Sequence, residues 1–377
     1  MGEYILVTGG AGFIGSHLVD ALIREGHRVR VLDSLEPQVH GVLRAQGKLP
    51  EYCNPHAEYL IGDVRDRALL ERALEGIDVV FHEAAAVGVG QSMYEIEKYV
   101  GMNTHATAVL LDVLANRRAR TRKLIVASSM SIYGEGAYQC ERDGRVFPRL
   151  RSNDQLTQRD WEMRCPACGQ IAQPIPTDEE KPLYSTSIYA ISKRDQEEMC
   201  LCIGRAYHIP TVALRYFNVY GTRQALSNPY TGVAAIFSSR LLNDHVPLIF
   251  EDGLQSRDFV HVSDIVQANL LAMKCDAANY DYFNVGTGHP ITVHDVAIVL
   301  SHALGKEIAP QIVGKFRAGD IRHCVADIAK ARRVLGYAPR VTFEDGMREL
   351  TDWVRRQDAQ DRVDAAAGEL EKRGLTR

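Results

Sequence analysis

Residues 4–26 read YILVTGGAGFIGSHLVDALIREG, and the order of events inside this stretch decides the fold. Tyr4 to Thr8 is a short apolar run closed by glycine, the pattern of a buried strand. Gly9, Gly12 and Gly15 then recur at every third position, and beyond them Leu18, Ala21 and Leu22 form one stripe at helical spacing. The order is strand, glycine turn, helix. The same alternation continues outward: RVRVLDS (28–34), AEYLIGDV (57–64), DVVFHEAA (78–85) and KLIVASS (123–129) read as strands, and RALLERALEG (67–76) and ATAVLLDVLANRR (106–118) as helices. Strands separated by helices pair in parallel through right-handed crossovers and are buried on both faces. The expected class is therefore α/β, built on a doubly wound parallel sheet.

Composition excludes several other classes. With 46% hydrophobic and 24% charged residues over 377 positions, the chain is neither disordered nor a coiled coil. Lys plus Arg number 44 against 48 Asp plus Glu, a formal charge of −4, so no basic excess exists for a nucleic-acid backbone. No apolar run approaches the ~20 residues of a membrane-spanning helix. The amino terminus carries no basic segment followed by an apolar run, so a cytoplasmic setting without an export signal is expected, and the eight cysteines read as reduced thiols or metal ligands.

From about residue 136 to 181 the rhythm breaks into a polar, cysteine-bearing stretch. The α/β pattern resumes with SIYAISKRDQEEMCLCIGRAY (187–207) and TVALRYFNV (211–219), so the stretch is an insertion within one domain rather than a linker. The expected division is a nucleotide-binding domain over 1–215 containing the insert, a smaller mixed α/β lobe over 216–354, and a charged tail over 355–377 that frays or forms a surface helix.

The glycine turn lets a backbone approach a pyrophosphate, whose charge faces the unpaired amides at the start of the helix. Asp33 ends the second strand, eighteen residues beyond Gly15. A carboxylate there accepts hydrogen bonds from both hydroxyls of an adenine ribose and repels a 2′-phosphate, which favours NAD over NADP; alternatively it caps the following turn. Asp63 and Val64 end the third strand. Ala84 to Ala86 at the end of the fourth strand permit close packing against a flat group, or begin a helix.

Ser128, Ser129 and Ser131 stand where the fifth strand becomes a loop, on the ligand side of such a sheet. Tyr189 and Lys193, four apart, share one face of a predicted helix. An ammonium one turn away and a cationic nicotinamide favour the phenolate of Tyr189.

Together TGGAGFIG, Asp33, GDV, SSMSIYG, YAISK, RYFNVYG, QSRDFVHVSD and RAGDIRH resemble, in this order, the extended short-chain dehydrogenase/reductases acting on nucleotide sugars, over about Tyr4 to Trp353. The resemblance implies a Rossmann-type sheet, a homodimer through the helix of Tyr189 and the helix near Tyr99 to Arg117, and a smaller lobe gripping a nucleotide diphosphate. It implies Ser129, Tyr189 and Lys193 as the catalytic set. It implies NAD contacts from Gly9, Gly12, Phe13, Ile14, Gly15, Asp33, Asp63, Val64, Ala84, Ala85, Asn103, Ser128, Tyr189 and Lys193. Substrate contacts would come from Ser129 and Ser131, with Asn218, Arg257 and Arg317 on the diphosphate and Asp320 on the nucleotide ribose.

Members of that family share oxidation at the sugar 4-hydroxyl. The dehydratases add an Asp-Glu pair after the serine position, and here Met130 and Ser131 stand there. The expected outcome is a 4-epimerisation. The insert segments GEGAYQCERDG (134–144), WEMRCPACG (161–169) and PTDEEKPLYSTS (176–187) resemble the cysteine-bearing insert of dTDP-L-rhamnose 4-epimerases, which points to dTDP-L-rhamnose and dTDP-6-deoxy-L-talose, with the insert over the sugar pocket. A UDP-hexose 4-epimerase, another nucleotide-sugar dehydratase or reductase, and a non-catalytic NAD-binding regulator are the alternatives. Within the insert, Cys165-Pro-Ala-Cys168-Gly has the spacing of a zinc knuckle and Cys140-Glu-Arg-Asp143-Gly resembles a second, so three thiolates and a carboxylate form a candidate structural zinc site. Cys53, Cys200, Cys202, Cys275 and Cys324 have no ligand spacing and are expected as small core residues.

Overall fold

The computed structural model describes residues 2–116 and 121–377. Its centre is a seven-stranded parallel sheet made of β1 (Tyr4–Thr8), β2 (Arg28–Asp33), β3 (Glu58–Ile61), β4 (Val79–His82), β5 (Lys123–Ser129), β6 (Thr211–Tyr216) and β7 (Asp281–Val285). The spatial order is β7-β6-β5-β4-β1-β2-β3, so the chain reverses direction across the sheet between β1 and β4. Alternation along β1 explains the two layers. Ile5 and Val7 pack with Leu18, Val19 and Leu22 of helix Phe13–Arg24 and with Ile265, Ala268 and Ala272 of helix Val262–Lys274. Leu6 points the other way, into Leu70, Leu110, Leu114 and Leu201 of helices Arg67–Ala73, Ala106–Asn116 and Ile188–Tyr207. Each such side chain contributes about 1.5–3 kcal/mol when fully buried. Neither face is left to water.

The predicted helix over 106–118 is observed as Ala106–Asn116, preceded by a wider π-helical turn, Val100–His105. Its expected last residues, Arg117 and Arg118, lie outside the described residues. Val100–His105 turns Asn103 into the interior, where it is fully buried. The second lobe has its own core, in which Phe237, Leu241, Val296, Leu300, Met347 and Leu350 join helices Val233–Leu242, Val293–Ala303 and Phe343–Val354.

Of the two forms expected for the tail, the helix is observed: Val363–Lys372 is helical with Ala366 and Leu370 buried, and the chain end pairs with the segment 316–318 through Phe316 N–H to Arg377 O and Ala318 N–H to Leu375 O. Alternation of charge hid a short apolar stripe. Cys202 is exposed rather than a core residue, because it lies on the outer face of helix Ile188–Tyr207, and Cys53 and Cys275 are half-buried. All eight cysteines are free.

Candidate active site

A cleft of about 460 Å³ opens at the carboxyl ends of the strands, where the order of the sheet reverses, the position at which such sheets bind ligands. Its floor is the glycine turn. Gly9 has φ +72°, and a Cβ there would sit 2.8 Å from the amide nitrogen of Ala84; one on Gly15 would sit 2.3 Å from the carbonyl oxygen of Gly9. Only glycine allows the turn, the fourth strand end and the helix to meet this closely. Helix Phe13–Arg24 starts against the cleft with no side-chain cap, leaving its first amides for a ligand. Gly9, Gly12, Phe13, Ile14 and Gly15 all line the cleft.

Asp33 is buried and lines the same space. Its Oδ2 accepts the Ala11 amide (3.0 Å) and its Oδ1 the Leu35 amide (2.8 Å), so it braces both loops that flank the site while a lone pair on each oxygen stays available. Asp63 and Val64 also line it; Arg65 grips the Asp63 carboxylate (2.7 Å) and holds it below the ordinary range. Ala84 to Val87 run as extended loop, not as a helix start. Asn103 does not line the cleft. Its amide accepts from Ala86 N–H (2.7 Å) and donates to Ala86 O (3.0 Å) and Ser192 Oγ (2.9 Å), so it positions the alanine loop.

At the other end Ser128, Ser129, Ser131, Tyr189 and Lys193 come together. Ser187 caps the helix by accepting the Ala190 amide, which sets Tyr189 and Lys193 on its first turns against β5. Tyr189 is buried. Burial pushes its phenol up, and a hydrogen bond with the Ser129 hydroxyl pulls it down. Ser131 donates to Ser129 Oγ through both its amide (3.1 Å) and its hydroxyl (2.9 Å). Ser128 instead donates to Glu197 (2.6 Å), away from the chemistry. Lys193 Nζ donates to Ala127 O (2.6 Å) and Gln196 Oε1 (2.9 Å), and burial lowers it to about 8. The hydrogen bonds of this ammonium are directed to β5 and Gln196 rather than to the phenol, whose shift comes from its burial and from Ser129.

Sequence reasoning passed over Glu83. It is half-buried, lines the cleft, accepts a hydrogen bond from Tyr216 OH (2.9 Å), and burial raises it to about 7. A carboxylate closing an otherwise apolar strand was the available signal. Tyr216, Phe217, Gln224 and Tyr230 line the opposite wall; the latter two come from an irregular loop with no periodicity to mark it.

The proposed diphosphate residues are not gathered. Asn218 lines the cleft with its Oδ1 buried and unpartnered. Arg257 lies outside the lining, its guanidinium donating to the carbonyls of Ser256, Ile321 and Arg322. Arg317 pairs with Asp320 (2.9 Å) and lies over Phe250. Nor does the insert roof the pocket: none of the residues 132–188 lines the cleft. Its contacts run to the second lobe, through Arg151–Glu251 (2.8 Å) and Arg322–Glu162 (2.7 Å). Among the described residues no helix is long and apolar enough to cross a membrane.

The sequence profile of the NAD dependent epimerase/dehydratase family matches residues 5–150, and that of GDP-mannose 4,6 dehydratase matches residues 169–350. The dTDP-L-rhamnose 4-epimerase of Burkholderia thailandensis is 32% identical over 94% of this chain and 96% of its own length. Among solved structures, UDP-glucose 4-epimerase of Thermotoga maritima with UDP-glucose superposes with a TM-score of 0.74 at 32% identity, over 94% of this chain and 99% of that one. The Thermus thermophilus UDP-glucose 4-epimerase in complex with NAD gives 0.73 at 29% identity, over 94% and 100%.

Proposed function

The chain belongs to the NAD dependent epimerase/dehydratase family of extended short-chain dehydrogenase/reductases, and on that premise we propose that it interconverts dTDP-L-rhamnose and dTDP-6-deoxy-L-talose. Nucleotide-sugar 4-epimerases are its relatives and its structural neighbours alike, and the chain is an isomerase of that kind.

The observation that carries the reading is the meeting of Ser129, Tyr189 and Lys193 at the end of β5, with Met130 and Ser131 where a dehydratase needs two carboxyl groups. The glycine cradle, the uncapped helix start and Asp33 fit NAD. When bound, NAD supplies a hydride acceptor and donor at sugar carbon four and a positive charge beside the phenol. Ser129 donates a hydrogen bond to the 4-oxygen and orients it. Tyr189 takes the hydroxyl proton as the C–H bond gives up its hydride, and a 4-ketone forms. Lys193, held by Ala127 and Gln196, keeps a positive charge behind the tyrosine. With the ketone turned to its other face, bound NAD would supply the returning hydride and Tyr189 would give the proton back to the oxygen, so that carbon four is inverted without net oxidation. Asn218 is proposed on the diphosphate, and Arg257, Arg317 and Asp320 would reach the nucleotide only after exchanging their present partners.

The 6-deoxy sugar is supported by the resemblance of the insert, by the Burkholderia relative and by apolar surface from Met130 and Phe217 beside the serines. A homodimer is supported by exposed Ile96, Val100 and Ile191 on neighbouring elements, and a cytoplasmic setting belongs to the same proposal. The test is a product spectrum without added cofactor, using dTDP-L-rhamnose, UDP-glucose and UDP-galactose. The expected result is the 4-epimer of dTDP-L-rhamnose, with kcat/KM roughly tenfold or more above either UDP-hexose. Turnover of UDP-hexoses alone would move the substrate, and loss of water or a stoichiometric demand for NADH would end the epimerase reading.

A further inference from the structure

The insert brings Cys140, Asp143, Cys165 and Cys168 together, one ligand atom from each lying within 4.8 Å of the others. We propose that these four residues bind one tetrahedral divalent metal ion, zinc by the chemistry of the donors, and that the ion braces the insert against the segment 316–326 of the second lobe.

The separations fit the ion. Zinc bonds of about 2.3 Å to sulfur and 2.0 Å to oxygen at tetrahedral angles place sulfurs about 3.8 Å apart and sulfur and oxygen about 3.5 Å apart. Cys140 Sγ is 3.5 Å from Cys168 Sγ and 3.6 Å from Asp143 Oδ2, and Cys165 Sγ is 3.2 Å from the same oxygen. A disulfide needs about 2.05 Å between sulfurs, so the thiols are gathered but not joined.

Both halves of the cluster are built alike. Gly144 follows Asp143 at φ +74° and Gly169 follows Cys168 at φ +75°, each a hairpin tip in open space. Cys140 pairs with Gly144 across one tip; Cys165 pairs with Gln170 across the other (2.8 Å). Two hairpin tips facing each other with a pair of ligands apiece enclose a single ion, with no position open for substrate, so the ion is structural. Three thiolates are soft donors, which select zinc over magnesium or calcium. Binding releases the three thiol protons to solvent and leaves the centre with net charge −2, which Arg142 beside Asp143 (3.8 Å) partly offsets.

The insert has little apolar core of its own. Its own core is Tyr138, Met163 and Ala172 with Val146 packed against them, too little to hold a small fold without a staple. Yet it supports much. Glu135 accepts the amides of Arg322 and His323 (both 2.7 Å), Trp161 meets Phe316 edge-on, and the fully buried Arg322 rests on Glu162, Glu251 and Asp252. An ordered hairpin pair therefore fixes the irregular segment that carries Arg317 and Asp320.

The experiment is elemental analysis of the full chain, purified in reducing buffer without chelator and without a metal-affinity tag. The expected result is about one zinc per chain. Cys165→Ser with Cys168→Ser should remove it, while Cys202→Ser, outside the cluster, keeps it. If the double variant does not fold, competition of the wild-type protein with a chromogenic chelator decides. Asp143→Asn, at an exposed position, should then release zinc at roughly tenfold lower chelator concentration. Metal removal should also expose the insert to protease cleavage between residues 136 and 181 before any other segment. Zinc near zero after reconstitution with zinc chloride, zinc retained by the double variant, or a native Cys140–Cys168 disulfide each overturns the proposal.

Discussion

Tyr189 carries two opposing influences that were not both readable from YAISK. Burial raises its phenol, and the Ser129 hydroxyl is the group that lowers it, while Lys193 spends its hydrogen bonds on Ala127 and Gln196. The balance leaves the phenol above its ordinary value. Tyr189→Phe should lower kcat by about 10²- to 10⁴-fold, the usual worth of a positioned acid–base group, with bound NAD unchanged on release and assay. Undiminished turnover would remove it from the mechanism. Glu83 yields a second test. Burial raises its carboxyl to about 7, so the folded chain keeps this proton longer than the unfolded chain. The associated stability is full below about 4.5 and is lost as pH rises through about 7, with a slope of about 1.4 kcal/mol per pH unit inside that window. Glu83→Gln should flatten that dependence: its denaturation midpoint should rise relative to wild type at pH 8 and draw level near pH 4.5. Matching profiles for the two proteins would mean that burial does not raise this carboxyl in the folded chain.

Elements were legible wherever one face of a strand or helix had to be apolar. All five strands expected between residues 4 and 129 form, since a strand buried on both sides must be continuously Val, Ile and Leu. The carboxyl-terminal helix Val363–Lys372 was not, because only Ala366 and Leu370 of its ten residues are buried. Its anchorage comes from backbone pairing with the distant segment 316–318, which leaves no local trace in sequence. Leu370 lies against Gly90 of the short helix Val89–Ser92 in the first domain. Leu370→Ala should cost about 2 kcal/mol in chemical denaturation, at the low end for a buried leucine, and should hasten proteolysis of the last fifteen residues. A change under half that size would mean that the helix is not anchored there. The insert is the reverse case: its cysteine spacing was plain, whereas its three-stranded sheet was not.

At the scale of the whole molecule, the cleft joins two lobes, and the helices near Tyr99 and Tyr189 present Ile96, Val100 and Ile191 to solvent in the single chain. The homodimer proposed through them predicts that Ile191→Arg yields a monomer by light scattering, since an unpaired charge in a dimer core costs several kcal/mol. A wild-type monomer at micromolar concentration would refute it. The residues proposed for catalysis were legible because helical spacing and strand ends are local rules, and Ser129, Tyr189 and Lys193 line one cleft. Asn103, Arg257, Arg317 and the insert were assigned to the pocket by resemblance, and the fold gives them other neighbours. Sequence alone determined the layered sheet, the glycine cradle and the tyrosine–lysine pair, because each is announced by a pattern of residue types within a short stretch of chain. Which distant groups share a cavity, such as Glu83 with Tyr216 or Asn103 with Ala86, was decided only by tertiary packing. Those contacts join segments up to more than a hundred residues apart, and no local pattern encodes them.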